Sequence, residues 1–163
     1  MKIMTQSDPK PKKSQINKLG KKLRECLKSR VKIDDADLYE LQNYRTSFKE
    51  DIAPVFKTIS EICKKRGEKN NIVSFRIKRI ETILSKIERQ PTMALGNMGD
   101  IAGCRVIVNS FSNILPLSEE IHAAFKVKSI NDYTKTRKSD GYNGYHIYIE
   151  SPIDSNKTIE IQI

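Results

Sequence analysis

YHIYIE at residues 145–150 and KTIEIQI at residues 157–163 alternate between apolar and polar side chains. Alternation of this kind places successive side chains on opposite faces of a β-strand. The isoleucines of both stretches therefore share one face of a strand, and His146 and Glu160 fall on the opposite face. If the two strands are neighbours in one sheet, His146 and Glu160 look into a single polar surface.

The first half of the sequence predicts helices. Apolar residues step by three or four from Leu38 to Ile62, which is typical of a helix that faces a core. Because Pro54 lies inside this stretch and Asp51 can cap a helix, two helices that meet near residue 51 and one kinked helix fit the pattern equally well. Residues 77–89 predict a second amphipathic helix.

Short apolar segments predict further strands at residues 71–75, 103–109 and 125–132, and residues 114–125 predict a helix between the last two. Strands therefore predominate in the second half of the chain and helices in the first. The 163 residues suffice for one domain. We expect an α+β fold in which a mixed sheet of about five strands is flanked by helices.

Positive charge is concentrated at the start of the chain. Residues 1–32 contain eleven Lys or Arg and two acidic residues, a net charge of +9, whereas the whole chain carries +10. We therefore divide the chain into a basic N-terminal arm over residues 1–33, partly disordered or helical, and a domain over residues 34–163. Such an arm is typical of proteins that bind polyanions, although a solubilising tail explains the charge equally well.

Composition also limits the cellular setting. No stretch approaches the roughly 18 consecutive apolar residues of a membrane helix, and the first residues contain no apolar core of a signal peptide. The three cysteines have neither zinc-ligand spacing nor the pattern of a disulfide framework. We expect a cytoplasmic protein with reduced thiols and no membrane partner.

Cations flank a single acid in the middle of the chain. Asp100 stands before a predicted strand, and the cations around it are Arg76, Lys78, Arg79, Lys86 and Arg105. This set suits a polyphosphate, because Lys and Arg neutralise phosphate oxygens and a carboxylate holds Mg²⁺. Each residue also has a plainer interpretation: Lys78, Thr82 and Lys86 as the solvated side of a helix, and Asp100 as the cap of a turn.

Four separate segments carry a family resemblance. RIKR at 76–79, DIAGCRVIV at 100–108, DYTKTRKSDGYNGYH at 132–146 and IEIQI at 159–163 resemble the synthetase domain of the RelA/SpoT alarmone synthetases. DIAGCR preceded by ALGNM is most similar to the small toxic branch found in toxin–antitoxin systems. The resemblance implies a nucleotidyltransferase-like fold over residues 34–163, which lacks the C-terminal helix of its relatives.

The resemblance implies a pyrophosphokinase that transfers the β,γ-pyrophosphate of ATP to a ribose 3′-hydroxyl and releases AMP. It implies that Asp100 and Glu160 are catalytic and bind Mg²⁺, with Glu160 also helping to deprotonate the hydroxyl. The residues implied to bind ATP are Arg76, Lys78, Thr82, Lys86 and Arg105. The residues implied to bind the acceptor are Lys138, Tyr142 and His146, of which Tyr142 stacks on the base.

The basic arm and the toxin-like segment favour the 3′ end of tRNA as the acceptor, and hence a toxin that inhibits translation. GTP or GDP, giving the alarmone (p)ppGpp, is the close alternative. A catalytically inactive module that binds nucleotide or RNA is an alternative of another class. An antitoxin protein and a second copy of the chain remain open as partners.

Overall fold

Five strands form one mixed sheet in the computed structural model of the chain, which describes residues 11–67, 71–135 and 142–163. The strands are β1 (Ile72–Ile77), β2 (Ala102–Ile107), β3 (Val127–Asp132), β4 (Tyr145–Glu150) and β5 (Thr158–Gln162). Their order across the sheet is β1-β2-β5-β4-β3. β2 and β5 are parallel, and the other neighbouring pairs are antiparallel. The predicted α+β class with a mixed five-stranded sheet is confirmed.

Helices pack with this sheet around one core. In the described ranges they are α1 (Lys13–Ser29), α2 (Asp35–Lys65), α3 (Ile80–Arg89) and α4 (Ile114–Ala124), with short 3₁₀ turns at Leu95–Asn97 and Phe111–Asn113. None of these helices is both long enough and apolar enough to cross a membrane.

The strand register separates an apolar face of the sheet from a polar one. The isoleucines of β4 and β5 are buried in the same core as Phe48, Ile52 and Val55 of α2. On the opposite face, two rows of cross-strand partners run from β1 to β4. One row is Arg76, Gly103, Glu160 and Tyr148, and the other is Ser74, Arg105, Gln162 and His146. We call this surface the polar face.

Helix α2 is one continuous helix of 31 residues that contains Pro54. The alternative of two helices capped at Asp51 is therefore wrong. Asp51 is fully buried and ion-paired with Lys157, with 2.6 Å between Oδ2 and Nζ, and it accepts a hydrogen bond from Ser151. The partners of Asp51 lie far away in the sequence, in the loop between β4 and β5.

Helix α3 begins at Ile80, later than predicted, because β1 extends to Ile77. The backbone N–H of Lys78 donates to the carbonyl of Ile101 at 2.7 Å, which continues the pairing of β1 with β2 past the end of the strand. The expectation that Lys78, Thr82 and Lys86 share one side of a helix is therefore wrong for Lys78.

Helix α1 packs closely on the turn at Leu95–Asn97. Its apolar side buries Ile16, Leu19 and Leu23, and a Cβ on Gly20 would lie only 2.6 Å from Cβ of Leu95. The Arg24 guanidinium donates to the backbone carbonyls of Ile87 and Met93. A large part of the segment with the highest positive charge thus belongs to the folded core, while the boundary at residue 33 stays a prediction.

Candidate active site

Asp100 lies at the centre of a compact charge cluster. Lys78 directly follows β1, Asp100 precedes the antiparallel β2, and Lys86 extends from α3. Both ammonium groups contact the same carboxylate oxygen, Oδ2, with Nζ of Lys78 at 2.6 Å and Nζ of Lys86 at 2.7 Å. The structure therefore brings together three residues that the sequence pointed to.

The two lysines determine the charge state of Asp100. Burial on its own raises the pKa of this carboxyl, but the hydrogen bonds and charges of Lys78 and Lys86 outweigh it and lower the pKa below its usual value. Asp100 is therefore ionised at neutral pH.

The second oxygen of Asp100 is suited to a hard cation. Oδ1 is buried and has no hydrogen-bond partner among the described residues. Within those residues no group of three or more His, Cys, Asp or Glu side chains is placed to hold a metal ion. Mg²⁺ commonly uses one or two carboxylates and takes its remaining ligands from water and substrate phosphates. Asp100 fits this role.

Glu160 is held by three donors on the polar face. Its Oε1 accepts from Nδ1 of His146 at 2.9 Å and from the Tyr148 hydroxyl at 2.8 Å. Its Oε2 accepts from Nε2 of Gln162 at 2.7 Å. The amide oxygen of Gln162 in turn accepts from Nη2 of Arg105 at 2.7 Å. The shared polar surface that strand alternation predicted for His146 and Glu160 is present.

These donors keep the buried Glu160 ionised. Burial raises the pKa of the carboxyl, and the nearby negative charge of Asp100 raises it further. The hydrogen bonds from His146 and Tyr148 and the charge of His146 prevail, and the net pKa is below the usual value. Asp100 and Glu160 thus lie close enough to influence each other electrostatically.

Tyr142 and His146 extend this network toward solvent. The Tyr142 hydroxyl and Nε2 of His146 are hydrogen-bonded at 2.8 Å, and their rings meet edge to face. Tyr133 packs against the same imidazole with 5.1 Å between ring centroids. Lys138, the third residue implied to bind the acceptor, lies outside the described residues.

The remaining predicted residues surround the two acids. Arg76 and Arg105 are exposed and line a cleft together with Gly103, Glu160 and Gln162. Thr82 is exposed on α3, between the positions of Lys78 and Lys86 in the sequence. Cations therefore border Glu160 as well as Asp100.

Three residues of the site were not assigned a function from the sequence. They are Tyr148, Gln162 and Gly103. Alternation places Tyr148 and Gln162 on the same face as Glu160, and this was the available signal. Gly103 lies beside Glu160 in the parallel pairing of β2 with β5, which only the topology reveals.

Comparison with known proteins places this site in one family. Residues 75–163 match the family described as "Region found in RelA / SpoT proteins". GTP pyrophosphokinase YjbM of Bacillus subtilis (strain 168) is 31% identical over 100 residues, which cover 56% of this chain and 47% of that protein. GTP pyrophosphokinase YwaC of the same organism is 29% identical over 92 residues, covering 52% and 44%. The chain spans about half the length of these curated relatives.

Structural similarity agrees with the sequence match. The structure of a GTP pyrophosphokinase family protein from Streptococcus pneumoniae superimposes with a TM-score of 0.66 at 26% identity, covering 76% of this chain and 68% of that one. The matched region spans more than half of the chain and contains both acids, both lysines of the charge cluster and the residues that hold Glu160. The resemblance is therefore confirmed, and the chain belongs to the RelA/SpoT family.

Proposed function

We propose that this chain is a pyrophosphokinase that transfers the β,γ-pyrophosphate of ATP to the ribose 3′-hydroxyl of GTP or GDP. The observation that carries the proposal is the pair of ionised acids in one site, Asp100 between two lysines and Glu160 in a network of neutral donors and His146. The names of YjbM and YwaC, both GTP pyrophosphokinases, support this acceptor over tRNA.

The reaction needs a base and neutralisation of phosphate charge. The acceptor 3′-oxygen forms a bond to the β-phosphorus, the bond from that phosphorus to the α,β-bridging oxygen breaks, and AMP departs with the bridging oxygen. The hydroxyl proton passes to Glu160, which is ionised at neutral pH and borders the cleft. A positioned base of this kind contributes roughly 10²–10⁴-fold to rate.

The cations of the site match the donor nucleotide. Lys78 and Lys86 can exchange their contacts with Asp100 for contacts with phosphate oxygens, and Arg76 offers an exposed planar guanidinium to the adenine or the phosphates. Asp100, whose Oδ1 has no hydrogen-bond partner among the described residues, would hold Mg²⁺ together with phosphate oxygens. When bound, Mg²⁺ would neutralise charge on the phosphates.

Transfer of label identifies the acceptor. The protein is incubated with Mg²⁺ and ATP labelled in its terminal phosphate, separately with GTP, GDP and deacylated tRNA. We expect label in GTP and GDP, and a loss of about 100-fold or more in Glu160→Gln. The matched control is Glu119→Gln, which changes an exposed acid of α4 and should retain full activity. A folded protein that labels no acceptor would refute the proposal and favour the inactive binding module.

Transfer to tRNA remains the second candidate, and one structural observation favours it. Helix α1 exposes Lys18, Lys21 and Lys28 while its apolar side is buried. Contacts between several lysines and RNA phosphates weaken steeply with added salt, whereas binding of one nucleotide responds far less. Label in tRNA, lost at raised salt and in a Lys18→Ala/Lys21→Ala/Lys28→Ala variant, would make tRNA the acceptor.

A further inference from the structure

The hydrogen bonds to Glu160 are unequally divided between its two oxygens. Each oxygen of an ionised carboxylate has two acceptor positions. Those of Oε1 are both occupied, by Nδ1–H of His146 and by the hydroxyl of Tyr148. Oε2 has one occupied position, filled by the amide of Gln162. Counting the described residues, one acceptor position therefore remains on Glu160, and it belongs to Oε2.

The free position of Oε2 borders the cleft because the neighbouring strand has no side chain there. Gly103 pairs with Glu160 across β2 and β5, and a Cβ built on Gly103 would lie 3.8 Å from Oε2. Gly103 and Glu160 both line the cleft that Arg76 and Arg105 border. A reacting hydroxyl can therefore approach Oε2 over Gly103.

Tyr148 also connects Glu160 to the segment that carries Asp100. Its hydroxyl donates a hydrogen bond to Glu160. Its ring lies next to Gly99, the residue before Asp100, because a Cβ built on Gly99 would be 3.0 Å from Cδ1 of Tyr148. The ring thus contacts the residue next to Asp100, while the hydroxyl bonds Glu160. The hydrogen bond of Tyr148 therefore restricts the orientation of the Glu160 carboxylate.

We propose that Tyr148 is a positioning residue that occupies the last acceptor position of Glu160 Oε1 and thereby reserves Oε2 for the reacting 3′-hydroxyl. The inference rests on the proposed pyrophosphokinase function. It also separates the two acids: with one acceptor position left, Glu160 receives the proton, and Asp100, whose Oδ1 is unpartnered among the described residues, is the carboxylate available to a cation.

Tyr148→Phe tests the inference, because it removes the hydroxyl and keeps the ring against Gly99. Without this donor the carboxylate can rotate and present Oε1 to the acceptor in unproductive orientations. We expect kcat to fall about tenfold, the equivalent of one hydrogen bond to a charged group. KM for ATP and for GTP should change less than twofold, since Tyr148 contacts neither in this mechanism. Tyr39→Phe, an exposed tyrosine of α2, is the matched control.

A spectroscopic measurement follows the same hydrogen bond without activity. The chain has two histidines, and His122 lies exposed on α4, so the ¹⁵N spectrum of histidine-labelled protein reports on His146 after assignment with His122→Asn. His146 and Tyr148 share Oε1. At one fixed pH, Tyr148→Phe should therefore shift the Nδ1–H resonance of His146, and Tyr39→Phe should leave it in place.

The outcomes separate this inference from the proposed function. A reduced kcat with unchanged KM and a shifted His146 resonance would support the role of Tyr148. An unchanged kcat, or an unchanged resonance in a folded Tyr148→Phe protein, would overturn it. If the parent protein transfers no pyrophosphate, the proposed function is wrong, and so is the proposal that Oε2 accepts the proton of a hydroxyl. The His146 Nδ1–H resonance still tests separately whether Tyr148 donates to Oε1.

Discussion

The buried ion pair between Asp51 and Lys157 allows a quantitative test of what holds the loop before β5 in place. The exposed fractions of the two side chains are 1% and 7%, and 2.6 Å separates Oδ2 from Nζ. Nζ of Lys157 also donates to the carbonyl of Ser47 and lies 4.7 Å from the centre of the Phe48 ring. The perturbation is Asp51→Ala, which leaves the ammonium group buried without its counter-charge.

The expected cost follows from this burial. Removing one partner of a buried ion pair destabilises a protein by about 3–5 kcal/mol, out of a total stability of about 5–15 kcal/mol. Lys157→Met should cost a similar amount, because it strands the Asp51 carboxylate. The double variant Asp51→Ala/Lys157→Met removes both charges and should lose clearly less than the two single variants combined, since apolar replacement of a buried pair is often close to neutral.

Urea unfolding followed by far-UV circular dichroism at neutral pH measures these differences, provided that the m-values agree among the variants. Glu61→Ala, at an exposed position of the same helix, is the control and should lie within about 0.5 kcal/mol of the parent protein. A loss below about 1 kcal/mol in Asp51→Ala, or additive losses in the double variant, would refute the reasoning from a buried pair.

Three further substitutions test the site and the core. Asp100→Asn should be less stable than the parent at neutral pH in EDTA. Because the lysines lower the pKa of Asp100, this difference should be full above the unfolded-state pKa of the carboxyl, shrink as the pH falls from there toward the folded-state pKa, and vanish below it; a constant difference on acid titration would contradict the pairing. Gly103→Ala should reduce kcat/KM for the acceptor about tenfold or more, because its Cβ would occupy the space over Oε2 of Glu160 and would stand only 3.1 Å from the backbone carbonyl oxygen of Glu160, which shifts the base; an unchanged value in steady-state assays would show that the acceptor approaches elsewhere. Gly20→Ala should destabilise the chain by about 1–3 kcal/mol in urea unfolding, because the added methyl would overlap Leu95; equal stability would mean that α1 shifts without cost.

The sequence predicted correctly those elements whose hydrophobic pattern fits either a strand or a helix, but not both. Ile147, Ile149, Ile159 and Ile161 alternate without exception, and they form the buried side of β4 and β5. The boundary before α3 was wrong because IKRI at 77–80 fits the end of a strand as well as the start of a helix. The hydrogen bond from Lys78 to Ile101, a tertiary contact, keeps this segment paired with the strand and sets the boundary.

Contacts between distant residues set the limit of the sequence-based reasoning. Aspartate commonly caps helices, and Asp51 was interpreted in this way. Its partner in the structure, Lys157, is 106 residues away. The charge cluster was predicted around Asp100, but the convergence of Lys78 and Lys86 on one oxygen required the fold. The assignments of Arg76 and Tyr142 to substrates came from the family resemblance and stay predictions.

The order of strands has a consequence for synthesis on the ribosome. β5 follows the other four strands in the chain, yet it occupies the centre of the sheet between β2 and β4. Until residues 158–162 have emerged, the nascent chain can form only two separate hairpin-like pairs, β1 with β2 and β3 with β4, each with an unpaired inner edge open to wrong partners. When β5 pairs with β2 and β4, it joins the two strand pairs into one sheet and places Glu160 in the active site. Assembly of the sheet and completion of the active site therefore coincide.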